Sequence, residues 1–156
     1  MNTVSLWCKC TQIIMRITKS AYEMIWNSFR PVPPENGGIL GMRNGIVCLY
    51  LHDRSVQTTL SAEYVPDVFW MNRCIEEWHK QGVDFAGIIH SHPSCQDSLS
   101  DSDIAYIHRI MTSLPQTVSK LYFPLIIPNK KLVGVVAYRR KSGIEIKPDA
   151  IQIMCL

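Results

Sequence analysis

Five side chains have the types and spacing for hydrolytic chemistry: Glu35, His90, His92, Ser100 and Asp103. His90 and His92 lie two apart at the end of a predicted strand, so their side chains leave the same face. Two imidazoles so placed can reach one metal ion, and imidazole is the commonest neutral nitrogen ligand for zinc. Asp103 falls in the first turn of the helix predicted after the next loop. If that loop folds back, its carboxylate faces the strand end and completes a set of two histidines and one acid. Three protein ligands leave a fourth corner for water, which is the catalytic rather than the structural pattern of zinc. A zinc-held water has a pKa of about 7, so hydroxide is available near neutrality. Hydrolysis also needs a proton carrier. Glu35, at the start of the Gly37-Gly38-Ile39-Leu40-Gly41 run, is the candidate to take the proton and hand it to a leaving amine. Ser100, at a helix start, could donate to the oxyanion of a tetrahedral intermediate.

Plainer roles exist for the same residues. Histidines at a strand end can be surface residues. Ser100-x-x-Asp103 resembles a capping box with Asp in place of Glu, and helix N-termini favour acids in any case. The Ser100 hydroxyl serves the helix only when it is not turned to a substrate. Cys95, between the ligand candidates, reads as an ordinary loop cysteine. His52, His79 and His108 fit no ligand spacing. Trp70 and Trp78 read as packing residues, and Arg139-Arg140-Lys141 as a solvated turn.

The elements that must hold these residues follow from periodicity and punctuation. Ile13–Ile17 reads as a strand, and Thr18 or Ser20 caps a helix running to about Phe29, which Pro31, Pro33 and Pro34 terminate. Gly38–Met42 and Ile46–Leu51 flank Arg43-Asn44-Gly45, a strong hairpin signal. His52–Tyr64 is polar and reads as loop. Pro66–Lys80 carries Val68, Met71, Ile75 and Trp78 at helical spacing. Phe85–His90 is a short apolar strand, Pro93–Leu99 a loop, and Ser100–Met111 a helix. Lys120–Ile127 and Lys131–Tyr138 surround Pro128-Asn129-Lys130 as a second hairpin, and Ile144–Ile153 supplies a last strand. The expected architecture is α/β: a single domain with a curved, mixed and mostly antiparallel sheet flanked by helices.

The chain has 156 residues, of which 47% are hydrophobic and 19% charged. That is enough for one core and excludes intrinsic disorder. No apolar run reaches the roughly 18 residues of a membrane span. A net charge of +3, scattered along the chain, argues against nucleic acid as a partner. The six cysteines, Cys8, Cys10, Cys48, Cys74, Cys95 and Cys155, read as reduced thiols of a cytoplasmic protein. Cys48 and Cys74 sit within apolar patterns, as small core residues do. The N-terminus lacks the order of a basic start, apolar block and small-residue cleavage site, so no signal peptide is expected. Residues 1–12 read as an N-terminal extension and 13–156 as the domain.

Glu35 ahead of a Gly-Gly-Ile-Leu-Gly strand, followed by His90-x-His92, seven residues, Ser100, two residues and Asp103, resembles the JAMM (MPN+, JAB) zinc metalloprotease family. The resemblance spans Ile13 to Tyr138. It implies a cytidine-deaminase-like JAB/MPN fold, one zinc ion per chain held by His90, His92 and Asp103, Glu35 as general acid/base, and Ser100 at the oxyanion. It also implies a peptide or isopeptide substrate, joined through the extended C-terminal tail of a ubiquitin-like or sulfur-carrier-like protein. Such a tail would lie along a sheet edge beside the metal. Only Thr112–Ser119 separates the second long helix from the next strand, similar to compact prokaryotic members. Two other outcomes stand beside this one: a non-catalytic MPN-type scaffold, and a DNA-repair-associated member of the same fold.

Overall fold

The hairpin at Asn44-Gly45 shows how local sequence sets this chain's geometry. Both residues take positive φ, 50° and 76°, which is the type I′ turn that matches the twist of the strands it joins. It connects β2 (Gly37–Arg43) to β3 (Ile46–His52). The computed structural model describes residues 14–31, 34–54, 64–93 and 95–155. The N-terminal extension, Ile13, Cys8, Cys10 and most of the loop assigned to His52–Tyr64 lie outside the described residues.

Before the hairpin come β1 (Ile14–Thr18) and α1 (Lys19–Ser28), which Thr18 caps by accepting from the Ala21 N–H. After it come α2 (Val68–Lys80), capped by Asp67, and β4 (Asp84–Ser91). α3 (Asp101–Ser113) follows, capped by Ser100. The chain finishes with β5 (Lys120–Tyr122), β6 (Leu125–Ile127), β7 (Lys131–Arg140) and β8 (Gly143–Met154).

The strand order is β2-β3-β1-β8-β7-β5-β4-β6, and β2 also pairs with β4. That last pairing corrects the expected architecture. The sheet is not an open α/β layer between helices. Among the described residues it closes into a mixed barrel of seven strand positions, with three helices, in which strand predominates. β5 and β6 share one position, because both pair with β4 on one side and β7 on the other. Closure depends on long-range pairing. β2 runs antiparallel to both β3 and β4, and register shifts at Leu40/Gly41 and Gly41/Met42 mark bulges that curl it. β1 lies parallel between β3 and β8. Periodicity within one segment carries none of this information.

The run read as one strand, Lys120–Ile127, is two strands. Pro124 offers no N–H to the ladder, and the Phe123 N–H is diverted to the Val135 carbonyl at 2.8 Å. Alternation along the strands sends neighbours to opposite faces. Leu40, Ile89 and Val136 join Ala21 and Ile25 of α1 and its C-cap Phe29 in one cluster. Ile39, Ile88 and Val135 join Met71 of α2 and Ile107 and Met111 of α3 in the other. Each fully buried aliphatic side chain here stabilises the fold by about 1.5–3 kcal/mol.

Arg139 is not part of a solvated turn. It is half-buried and donates to the carbonyls of Met111, Leu114 and Val118, which fixes the C-terminal end of α3 to β7. Cys48 and Cys74 are half-buried, Cys95 and Cys155 exposed, and all four are free. Among the described residues, no helix is long and apolar enough to cross a membrane.

Candidate metal centre

β4 ends as an interior strand. His90 pairs with Gly37 of β2 on one side and Leu125 of β6 on the other, and the His92 N–H continues that ladder to the Ile126 carbonyl at 3.0 Å. The backbone that carries both histidines is therefore fixed from two sides. It also follows that, among the described residues, no free sheet edge lies beside them for an extended tail to join.

The rings of His90 and His92 are buried, with centroids 4.7 Å apart. Their Nε2 atoms face each other at 2.9 Å. Asp103 bridges them: Oδ1 is 3.1 Å from His90 Nε2, and Oδ2 is 3.1 Å from His92 Nε2. The chain returns to this point through the loop after Pro93 and the start of α3. There Ser100 and Asp103 form a reciprocal capping box. The Asp103 N–H donates to Ser100 Oγ at 3.1 Å, while the Ser100 N–H and hydroxyl both donate to Asp103 Oδ2 at 2.7 Å.

The electrostatics follow from this geometry. Burial raises the Asp103 carboxyl's proton affinity, but the bonds from His90 and His92 outweigh it and hold the group well below the usual carboxylate range. The helix N-terminus favours the same ionised form. For His92, burial favours the neutral ring, yet Asp103 and Glu35 reverse the balance and raise its pKa above 6.5. Glu35, unlike Asp103, moves up. Burial pushes its carboxyl up, and the nearby histidines offset this only in part.

Two imidazole nitrogens and a carboxylate oxygen thus lie within 4.8 Å of one another. This donor set can hold a metal ion. The local chemistry fits that role, since two ring nitrogens aimed at each other share only one proton between them unless a cation takes its place.

The group opens into a cleft of about 520 Å³, which Glu35 and Ser100 also line. Of the five residues singled out by spacing, all five meet in this cleft. His52, His79 and His108 do not join them. His52 faces the Tyr50 hydroxyl, His79 approaches Asp84 on the surface, and His108 is exposed on α3.

Four further residues shape the site. Ser91, between the histidines, points the other way and bonds to Asn36, the residue after Glu35. Asp53, 4% exposed, accepts from the Tyr64 hydroxyl at 2.7 Å and the Asp67 N–H at 3.0 Å. Burial, joined by Asp53, drives the Tyr64 hydroxyl far above the ordinary tyrosine range, so it stays a donor. A serine in an apolar strand is a visible oddity. Nothing in the local sequence links Asp53 to Tyr64 or either to Glu35.

No family model matches the chain, and no curated protein does. Solved structures do. A Desulfitobacterium hafniense protein, determined in solution, shares 20% identity over 92% of this chain and 94% of its own, with a TM-score of 0.57. A JAB1/MPN domain protein from Archaeoglobus fulgidus shares 14% identity over 88% of this chain and 97% of its own, with a TM-score of 0.50. At these identities the likeness is one of fold, and the chain has an MPN-like fold.

Proposed function

We propose that this chain is a zinc-dependent hydrolase of peptide or isopeptide bonds, of the JAMM type. The observation that carries the proposal is the convergence of His90, His92 and Asp103 on one point of a cleft that Glu35 also lines. In this reading the three residues hold one zinc ion. When bound, zinc supplies Lewis acidity and acidifies water, so that attack on a carbonyl proceeds near neutral pH.

Glu35 takes the proton of the attacking water and delivers it to the leaving nitrogen. Its raised pKa suits both halves of that task, since a proton carrier works best with a pKa nearer the working pH. Ser100 orients Asp103 through the capping box. For its hydroxyl to reach an oxyanion it must release Asp103 Oδ2, so that second role belongs to the substrate-bound state.

We propose as substrate an extended peptide tail, such as the C-terminus of a ubiquitin-like or sulfur-carrier-like protein. With the strand edges beside His90 already paired, the tail's seat is the cleft between Tyr64–Val68 and α3.

The test uses the full chain, incubated with zinc and dialysed. Elemental analysis should find about one zinc per chain. A ubiquitin-like protein carrying a peptide extension should be cut after its tail, and Glu35→Gln should hold zinc without cutting. A metal-free protein, or a Glu35→Gln variant with full activity, overturns the proposal.

A further inference from the structure

We propose that Tyr64 is a positioning residue for both halves of the site, locked in place by the buried carboxylate of Asp53. The inference rests on the metal-centre reading of His90, His92 and Asp103. Tyr64 lies outside the spacing that singled out the five site residues, yet its ring faces one of them and it lines the cleft where all five meet. Its ring lies parallel to the His90 imidazole, 13° off plane, with centroids 6.4 Å apart. It also lines the cleft into which Glu35 opens. Its hydroxyl ends on Asp53 Oδ2 at 2.7 Å.

Asp53 is itself tied to the frame of the site. It follows directly on β3, and its N–H donates to the Gly37 carbonyl at 2.8 Å, two residues past Glu35. Its carboxylate also receives the Asp67 N–H at the start of α2. Tyr64 is therefore held between two elements that cannot drift independently. The space it fills exists because residue 37 is glycine: a Cβ there would lie 2.5 Å from the tyrosine ring.

This arrangement has two consequences. The parallel ring limits rotation of His90, which keeps Nε2 aimed at Asp103 and His92. The anchored side chain also fixes the wall of the cleft that Glu35 shares. A metal ligand whose orientation is fixed by its surroundings binds more tightly than one free to turn, and removing such support costs roughly 10–100-fold in affinity.

The test compares the wild-type chain with Tyr64→Ala, Tyr64→Phe and Asp53→Asn. It measures zinc affinity by competition with a chromophoric chelator, the visible bands of the cobalt(II)-loaded protein, and kcat and KM on the extended ubiquitin-like substrate. Tyr64→Ala should weaken zinc by roughly tenfold or more and shift the cobalt bands. Tyr64→Phe keeps the ring and loses the anchor, so zinc should hold while kcat falls with KM unchanged. Asp53→Asn still offers an oxygen to the Tyr64 hydroxyl, so its kcat should stay closer to wild type than that of Tyr64→Phe.

Zinc affinity and cobalt bands unchanged in Tyr64→Ala would overturn the inference and leave the metal-centre reading intact. Should Tyr64→Ala fail to fold, an unaltered kcat in Tyr64→Phe overturns it equally. A wild-type chain that binds no zinc removes the reading on which it stands.

Discussion

The Ser91 hydroxyl accepts the Asn36 backbone N–H at 3.0 Å, and the Ser91 N–H donates to the Asn36 carbonyl at 2.8 Å. The residue between the two candidate ligands thus grips the residue next to the candidate proton carrier. Strand alternation makes this possible: His90 and His92 face the cleft, and Ser91 faces the Glu35 segment. One tripeptide links the candidate metal ligands to the Glu35 segment.

Ser91→Ala tests that coupling. It leaves a half-buried N–H without its acceptor, at a cost of about 1–3 kcal/mol. For a domain of this length, each kcal/mol lowers Tm by about 2–4 °C. Zinc stoichiometry should stay near one, because both imidazoles remain on β4, while kcat falls as Glu35 loses its tether. Melting curves, elemental analysis and kinetics on one preparation check this. Equal losses of zinc and activity would mean that Ser91 supports the ligands rather than the base.

Removal of single site residues should separate binding from proton transfer. His92→Ala and Asp103→Ala each take away one of three ligands, and stoichiometric zinc should disappear. Glu35→Gln keeps the ligand set and should keep the metal. Its rate should fall by about 10²–10⁴-fold, the usual contribution of a positioned acid or base. Zinc content and turnover, measured side by side, give a different pattern for each variant.

The meeting of the candidate residues was more legible in the sequence than the fold. Two histidines on one strand face and an acid one turn into a helix are set by short-range periodicity, and the structure brings them together. Thr18, Asn44-Gly45 and Ser100 announced their caps and turn for the same reason. Barrel closure was illegible because it depends on β2 meeting β4 and on β1 lying between β3 and β8. Partners so distant leave no mark on local pattern. Arg139 misled through its neighbours: three consecutive cations suggest solvent, but this one reaches back to the end of α3. Tyr64 and Asp53 went unseen because their bond spans a polar stretch without periodicity.

The stability of the metal-free protein should decline with rising pH across neutrality. His92 has its pKa raised, so its stabilising charge is fully present below about pH 6.5 and is lost as pH rises through the raised value. Asp103 has its pKa lowered, so its contribution is present above about pH 4 and is lost only under strong acid. The metal-free Tm should therefore be highest in mild acid and fall towards about pH 8. Zinc requires neutral imidazoles, so the increment in Tm on adding zinc should grow over the same interval. Melting curves with and without zinc from about pH 5 to pH 8 test both slopes. His52, whose pKa burial lowers, pulls the other way, so a metal-free Tm that climbs through this range in a His52→Asn variant would contradict the His92–Asp103 pairing.

Gly37→Ala should damage the site more than its small size suggests. A Cβ at this position would lie 2.5 Å from the Ile89 carbonyl oxygen and 2.5 Å from the Tyr64 ring. The first contact is with backbone at the end of the β2–β4 ladder, which cannot move aside without breaking the pairing of Gly37 with His90. The second contact is with a side chain that can retreat, but only by leaving Asp53 and the face of His90. Overpacking of this kind costs about 1–3 kcal/mol. The variant should melt lower than wild type and bind zinc more weakly at a temperature where it is still folded. Gly45→Ala is the control, because a Cβ at Gly45 meets nothing within 4 Å. It strains only a turn remote from the ligands, so it should lower Tm without touching zinc affinity. If Gly37→Ala loses stability alone and holds zinc as tightly as wild type, the ring of Tyr64 has room to yield, and the link from residue 37 through Tyr64 to His90 is broken.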